Sequence, residues 1–311
     1  MRAAATALIA TLLLPGCSNG PVRCDRPCLL SRTDEYVIAL ASRDPSRARI
    51  ANDALLVENL ERREFGQGLW REATRGNNGL SIHVPDELRQ TAGWLGMMEK
   101  NGEPVMVALR LRFEDGEITE AEHLVAPITQ IKRTRVQKQR EAFTAAIGQG
   151  RQLDHERLIA IGASYFDALD KSDGTIAPFA SDCERYENGL LKAGAGDVEQ
   201  GPAAYPHDCE GQVSSNLFDY IDSIDNRRIF AADPVTGLVM GFSQFRHSMQ
   251  FKPYQVKALD GSLVTFDRQR LKFDPFDLAS AHVFKVGADA RLHEIESLGL
   301  VAAYGSPTGW E

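Results

Sequence analysis

Two stretches of this chain place apolar residues on a single face at three-to-four spacing. Leu29, Tyr36, Val37 and Leu40 make the first stripe, and Leu158, Tyr165, Phe166 and Leu169 the second. The spacing predicts two amphipathic helices, stopped by turn chemistry at Asp44-Pro45 and Asp173-Gly174. After each helix the period shortens. Leu80 to Val84 alternates, Gly93 to Glu99 is half apolar, and Pro104 to Phe113 reads as a long strand that an Asp115-Gly116 turn returns through Ile118 to Val125. After the second helix the matching strands are Arg228 to Ala232, Leu238 to Phe245, Ala281 to Val286 and Leu292 to Leu298. Helices followed by long antiparallel strands and tight turns predict an α+β fold with a sheet covered on one face.

The two halves are copies. Residues 158–188 laid over 29–59 give ten identities in 31 positions without a gap, at a constant offset of 129, where chance would give roughly two. The last hairpins align through Glu120-Ala-Glu122 and Glu294-Ile-Glu296 at an offset of 174, so the second copy is 45 residues longer. The expected organisation is a processing segment at 1–17, a first copy at 24–127, a linker at 128–152 and a second copy at 153–304. Insertions in that copy fall at 189–215 and 247–280, where lids and binding loops are usually found.

Composition narrows the setting. With 43% hydrophobic and 25% charged residues and a net charge of −8, the chain reads as globular and not as a nucleic-acid binder, which needs a basic face. Its one basic run, Lys132, Arg133, Arg135, Lys138 and Arg140, reads as a solvated linker or helix face. The apolar run from Ala3 to Leu14 is too short to span a membrane and ends in Leu14-Pro15-Gly16-Cys17. That ending resembles a bacterial lipobox, which implies cleavage before Cys17 and a lipid on its sulfur. Pro15 departs from the usual small residue, and plain secretion is the alternative. The expected location is therefore the cell envelope, lipid-anchored, with contact to membrane through that anchor only. Setting Cys17 aside leaves Cys24, Cys28, Cys183 and Cys209. The sequence-local pairing is Cys24 with Cys28 and Cys183 with Cys209, one of three connectivities. No second Cys or His pair stands at ligand spacing, so disulfides are preferred to a metal.

A family resemblance is carried by Cys24-x-Arg26-x-Cys28-Leu29, Tyr36-x-x-Ala39-Leu40, Asp44-Pro45-Ser46-Arg47, Glu58-Asn59 and Gly66-x-Gly68-Leu69-Trp70. The second copy adds Ala177-Pro178-Phe179, Cys183-x-Arg185-x-Glu187-Asn188-Gly189 and Arg227-Arg228. The chain resembles the nuclear transport factor 2-like superfamily, which includes the SnoaL-like cyclases, and more closely an uncharacterised group of secreted fungal and bacterial proteins. The resemblance implies two tandem cone-shaped domains, each with helices packed on a curved antiparallel sheet. It also implies pairing through the open sheet face, which two copies can satisfy within one chain, as a monomer or homodimer.

Candidate chemistry gathers in the second copy. Asp182, Arg185, Glu187 and His247 are the candidate catalytic residues, because a carboxylate beside an imidazole can transfer protons. Tyr165, Tyr186, Asn188, Trp70 and His83 are the candidate ligand-binding residues. The repeated Glu58-Asn59 and Glu187-Asn188 pairs could equally bond strand ends or cap turns. Nucleotide, Walker, zinc-protease and nucleophile-elbow motifs do not occur, and no cofactor is expected. Two functions fit. The first is a binding protein for a small hydrophobic or aromatic molecule, extending to a cofactor-independent lyase or isomerase in the second cavity. The second is a non-catalytic structural or interaction module tethered to the membrane surface.

Overall fold

The computed structural model describes residues 22–76, 79–128, 138–196 and 205–311. The candidate lipid site Cys17 and the basic residues Lys132, Arg133 and Arg135 lie outside the described residues. Helix α1 (Arg26–Ser42) begins the first copy, with the Asp25 side chain capping the Cys28 N–H. Strands β1 (Ile50–Glu58) and β2 (Glu61–Arg63), the one-turn helix α2 (Leu69–Glu72), and strands β3 (Ala73–Arg75), β4 (Ser81–Asp86), β5 (Thr91–Lys100), β6 (Glu103–Glu114) and β7 (Glu117–Pro127) follow. The second copy runs through helix α3 (His155–Asp170), β8 (Phe179–Glu187), β9 (Leu190–Ala193), the short helix α4 (Cys209–Val213), β10 (Ser223–Asp233), β11 (Leu238–His247), β12 (Tyr254–Lys257), β13 (Leu263–Phe266), β14 (Phe276–Val286) and β15 (Leu292–Ala303). Both disulfides take the sequence-local pairing, Cys24–Cys28 and Cys183–Cys209.

The internal duplication is visible element by element. Each long helix is followed by a single 3-10 turn, at Pro45–Arg47 and Gly174–Ile176, and then by a strand that enters its sheet beside the last strand of its own copy. The first sheet has the order β2-β1-β7-β6-β5-β3 with β4 also on β5, and the second β10-β11-β14-β15-β8-β9.

Two expectations are corrected here. The second domain is not a cone. The first sheet curves into a half-barrel, whereas the second is not closed by hydrogen bonds or strongly curled, and β10 and β9 remain as its edges. Nor are the sheets purely antiparallel, because β1 pairs with β7, and β8 with β15, in parallel.

The sheets are also covered on both faces. On β6, Val105, Val107, Leu109 and Leu111 pack under α1, while Met106 and Ala108 point the other way. On β14, Ala281 and Val283 meet that second set, together with Met240 and Phe242, and Phe284 faces α3. The order of layers is therefore helix, sheet, sheet, helix, with a shared apolar core between the sheets. Alternating side chains that are all buried are what a strand packed on two faces requires.

Charged contacts frame this shared core with an approximate two-fold symmetry. Arg26, at the start of α1, reaches Asp233 at the end of β10 at 2.9 Å. His155, at the start of α3 and 129 positions on, reaches Asp86 at the end of β4 at 2.6 Å. Arg228 grips Glu122 through two bonds of 2.7 Å. The equivalent Glu296 accepts from Arg140 at 2.5 Å, and Glu294 from the same guanidinium at 2.9 Å. Arg140 thus belongs to the interface and not to a solvated linker. Glu122 and Glu296 are almost fully buried, so each would be costly without its arginine.

Candidate functional site

Each copy has an interior between its long helix and its sheet, and the two are built differently. In the first, Tyr36 of α1, His123 of β7 and Glu58 at the end of β1 form one hydrogen-bonded chain. The Tyr36 hydroxyl meets His123 Nε2 at 2.8 Å, and His123 Nδ1 meets Glu58 at 3.1 Å. Burial pushes the Glu58 carboxyl up, but the His123 bond and charge, the Leu69 N–H and the Lys100 charge outweigh it and hold it below the ordinary range. An ionised carboxylate only accepts, so His123 Nδ1 donates to Glu58. Glu58 also accepts the Leu69 N–H at 3.0 Å. Leu69 and Trp70 of α2 then fill the space, with the Trp70 ring edge-on to Tyr36 at 5.1 Å. Trp70 is a core residue, 1% exposed.

The second copy places different groups at matching positions. Tyr165 stands for Tyr36 and Glu187 for Glu58, but Ser297 replaces His123. The backbone identifies the match, since the Asn59 N–H bonds the His123 carbonyl and the Asn188 N–H the Ser297 carbonyl. The imidazole has moved one strand over. His282 of β14 pairs across the ladder with Ser297, where the first copy has Leu109 across from His123. Arg185 replaces Leu56 and donates to Gln212 at 2.7 Å. No tryptophan fills this interior, and a cavity of about 80 Å³ remains. Tyr165, Arg185, Glu187, Tyr220, His247 and His282 supply its polar walls, and Leu169, Phe218, Ile221, Phe245 and Leu278 its apolar ones.

Both cavity imidazoles are neutral at physiological pH. Burial, assisted by the nearby Arg185 charge, pushes His282 down to about 3, and burial also lowers His247. His282 sits among Tyr165, Phe166, Phe245 and Phe284, while His247 stacks on Phe276 at 4.1 Å. Nδ1 of each ring is buried without a hydrogen-bond partner in the protein, an expensive condition unless something in the cavity bonds it. Glu187 approaches Arg185 only at 3.6 Å, with its side chain about a third exposed.

The structure therefore brings Tyr165, Arg185, Glu187 and His247 together and leaves the other candidates elsewhere. Asp182 points to the surface, where His293 bonds it at 2.7 Å. Tyr186 donates to Glu184 and lies under the Arg140 guanidinium at 4.0 Å. Asn188 bonds the Gly299 backbone with both ends of its amide, as Asn59 does with Val125. Both asparagines occupy left-handed backbone, at φ 47° and 50°. His83 meets Asp34 at 2.9 Å on the outside of the first copy. Sequence reasoning missed His282, Tyr220 and Gln212. A histidine inside the apolar run Ala281 to Val286 was the one available signal, since burial of an imidazole in a strand asks for a reason. Among the described residues no group of three or more His, Cys, Asp and Glu could hold a metal ion, and no helix is long and apolar enough to cross a membrane.

Comparison with known proteins adds little to this geometry. Residues 151–299, the second copy, match the model of a domain of unknown function (DUF8021). No curated protein matches the chain. Among solved structures, the epoxide hydrolase/cyclase-like enzyme SalBIII, described for pyran ring formation in the polyether salinomycin, is 12% identical, with 49% of this chain and 98% of that one covered and a TM-score of 0.31. A putative polyketide cyclase from Silicibacter sp. is 14% identical over 48% of this chain and 92% of its own, also at 0.31. An NTF2-like protein of unknown function from Exiguobacterium sp. is 14% identical over 45% and 98%, at 0.27. At these scores the likenesses decide nothing about this chain.

Proposed function

We propose that the protein is a non-catalytic binding module. Its first copy is a scaffold in which Trp70 fills the space beside Tyr36, and its second copy holds a small molecule without transforming it. The observation that carries this reading is the composition of the second interior. Its two imidazoles are neutral and each leaves Nδ1 unbonded, its one carboxylate leans toward an arginine, and no carboxylate touches an imidazole. General acid–base chemistry needs a group poised near the working pH, and an imidazole held near 3 is a poor base at neutrality. The unpartnered ring nitrogens and the arginine do suit recognition, which asks for a few fixed polar groups among apolar walls. A place in the cell envelope, through a lipid on Cys17, belongs to the same proposal. It is supported by the apolar run from Ala3 to Leu14 and by two disulfides, which persist in oxidising compartments.

The test is native mass spectrometry of protein purified from its own source, followed by denaturing extraction and return of the recovered compound to fresh protein in excess. A one-to-one adduct that is recovered unchanged after long incubation is expected. Chemical conversion of the compound would make the protein an enzyme and overturn the reading. A clean apo mass would remove the ligand and leave a structural module.

A further inference from the structure

We infer that the second-copy cavity is a receptor for a short-chain monocarboxylate, with the carboxylate on Arg185 and the alkyl tail against Phe245 and Leu278. This rests on the binding reading above and adds the ligand class. Size is the first argument. A cavity of about 80 Å³ is roughly half the ~150 Å³ of an engineered apolar cavity that takes benzene. An aromatic acid is therefore too large unless the walls move, whereas an acid of two or three carbons is not.

Charge is the second argument. Arg185 is 8% exposed, and a guanidinium carries five donors in a planar fork. Gln212 takes one of these at 2.7 Å, and Glu187 stands at 3.6 Å, beyond hydrogen-bond reach. Such a buried guanidinium, over the Phe218 ring at 5.5 Å, presents a fork that suits a planar anion accepting two parallel bonds. The neutral imidazole of His282 adds a hydrogen-bonding ring nitrogen without a competing negative charge. Leu56 stands at the Arg185 position of the first copy, so the anion site belongs to one copy only. The competing occupant is a small water cluster, since the same polar lining could hold water.

The experiment is a titration of the full chain with acetate and propionate, with propionamide as the uncharged isostere and benzoate as the oversized acid. It is followed by proton–nitrogen NMR of the arginine side chains and histidine rings. Saturable shifts at Arg185 and His282 with either short acid are expected, the amide binding about tenfold more weakly because it forfeits a charge-assisted bond, and benzoate leaving both signals in place. Arg185→Lys should abolish the saturable shift. Should that variant fold poorly, Ser280→Val narrows the same cavity without touching a charge and should weaken both acids alike. Binding of the amide as tightly as the acid would overturn the carboxylate assignment and leave the binding module intact. Shifts with none of the four probes would mean that the cavity holds only water. Conversion of a bound acid would instead keep the ligand class and remove the non-catalytic reading.

Discussion

The two interiors began as one design and have diverged at a handful of positions. In the first copy Tyr36, His123 and Glu58 form one bonded chain that ends on the Leu69 backbone, and Trp70, its own indole N–H unbonded, occupies the volume that is left. In the second, the histidine stands on the neighbouring strand, Arg185 stands in place of a leucine, and the longer segment between β9 and β10 contributes Gln212, Phe218 and Tyr220 in place of a tryptophan. The fold tolerates both because its stability does not depend on the interiors alone. The shared core between the sheets and the reciprocal ion pairs hold the two copies whatever each encloses. A duplicated chain can thus keep one copy as scaffold while the other acquires a vacancy.

The largest test of this contrast is to empty the filled interior. Trp70→Ala is expected to cost about 3–5 kcal/mol, read as a drop in urea midpoint at unchanged slope. Removing the interface arginine should cost about as much. Arg140→Met strands Glu294 and Glu296 in a buried setting, and loss of one partner of a buried pair is worth about 3–5 kcal/mol. Opening the disulfide that ties the insertion to the second copy, by Cys183→Ser with Cys209→Ser, removes a cross-link over a separation of 26 residues. That should cost about 3 kcal/mol and leave the first copy's amide protection intact.

Acidification separates the copies by a different route. His282 takes up its proton at about 3 when folded against an ordinary 6.5, so the unfolded chain binds more protons between those values. Its contribution is therefore present above 6.5 and is lost as pH falls through that window. His282→Phe should remove about one proton from the pH dependence of unfolding there, measured by urea melts at several pH values. The smallest effect is expected at His83. Its bond to Asp34 is largely exposed, and His83→Ala should change stability by no more than about 1 kcal/mol, which would mark the outer face of the first copy as silent.

Much of the frame could be read from the residues. The helical stripes at Leu29, Tyr36 and Leu40 and at Leu158, Tyr165 and Leu169 do face the cores, because a helix face has a local period that needs no knowledge of its partner. The parallel entry of β1 beside β7 was invisible, since those strands are far apart in sequence and pairing leaves no local trace. Curvature was equally hidden. Both copies have the same strand order in sequence, yet only the first sheet curls. Of the site, Tyr165, Arg185, Glu187 and His247 were legible as polar groups near an insertion, whereas Asp182 and Tyr186, their close neighbours in sequence, turn to the other side of the same strand or to its edge. Side-chain alternation along β8 decides that, and a motif read as a block ignores it. His282 was missed because its meaning comes from Ser297 on the adjacent strand.

The most direct measurement of the central claim is water contact at the histidine rings. In protein labelled with nitrogen-15 at histidine, cross-peaks between water and the ring protons distinguish a filled interior from an open one. Cross-peaks at His247 and His282 and none at His123 are predicted. Equal water contact at His123, or none at His282, would contradict the account of one filled copy and one receptive copy.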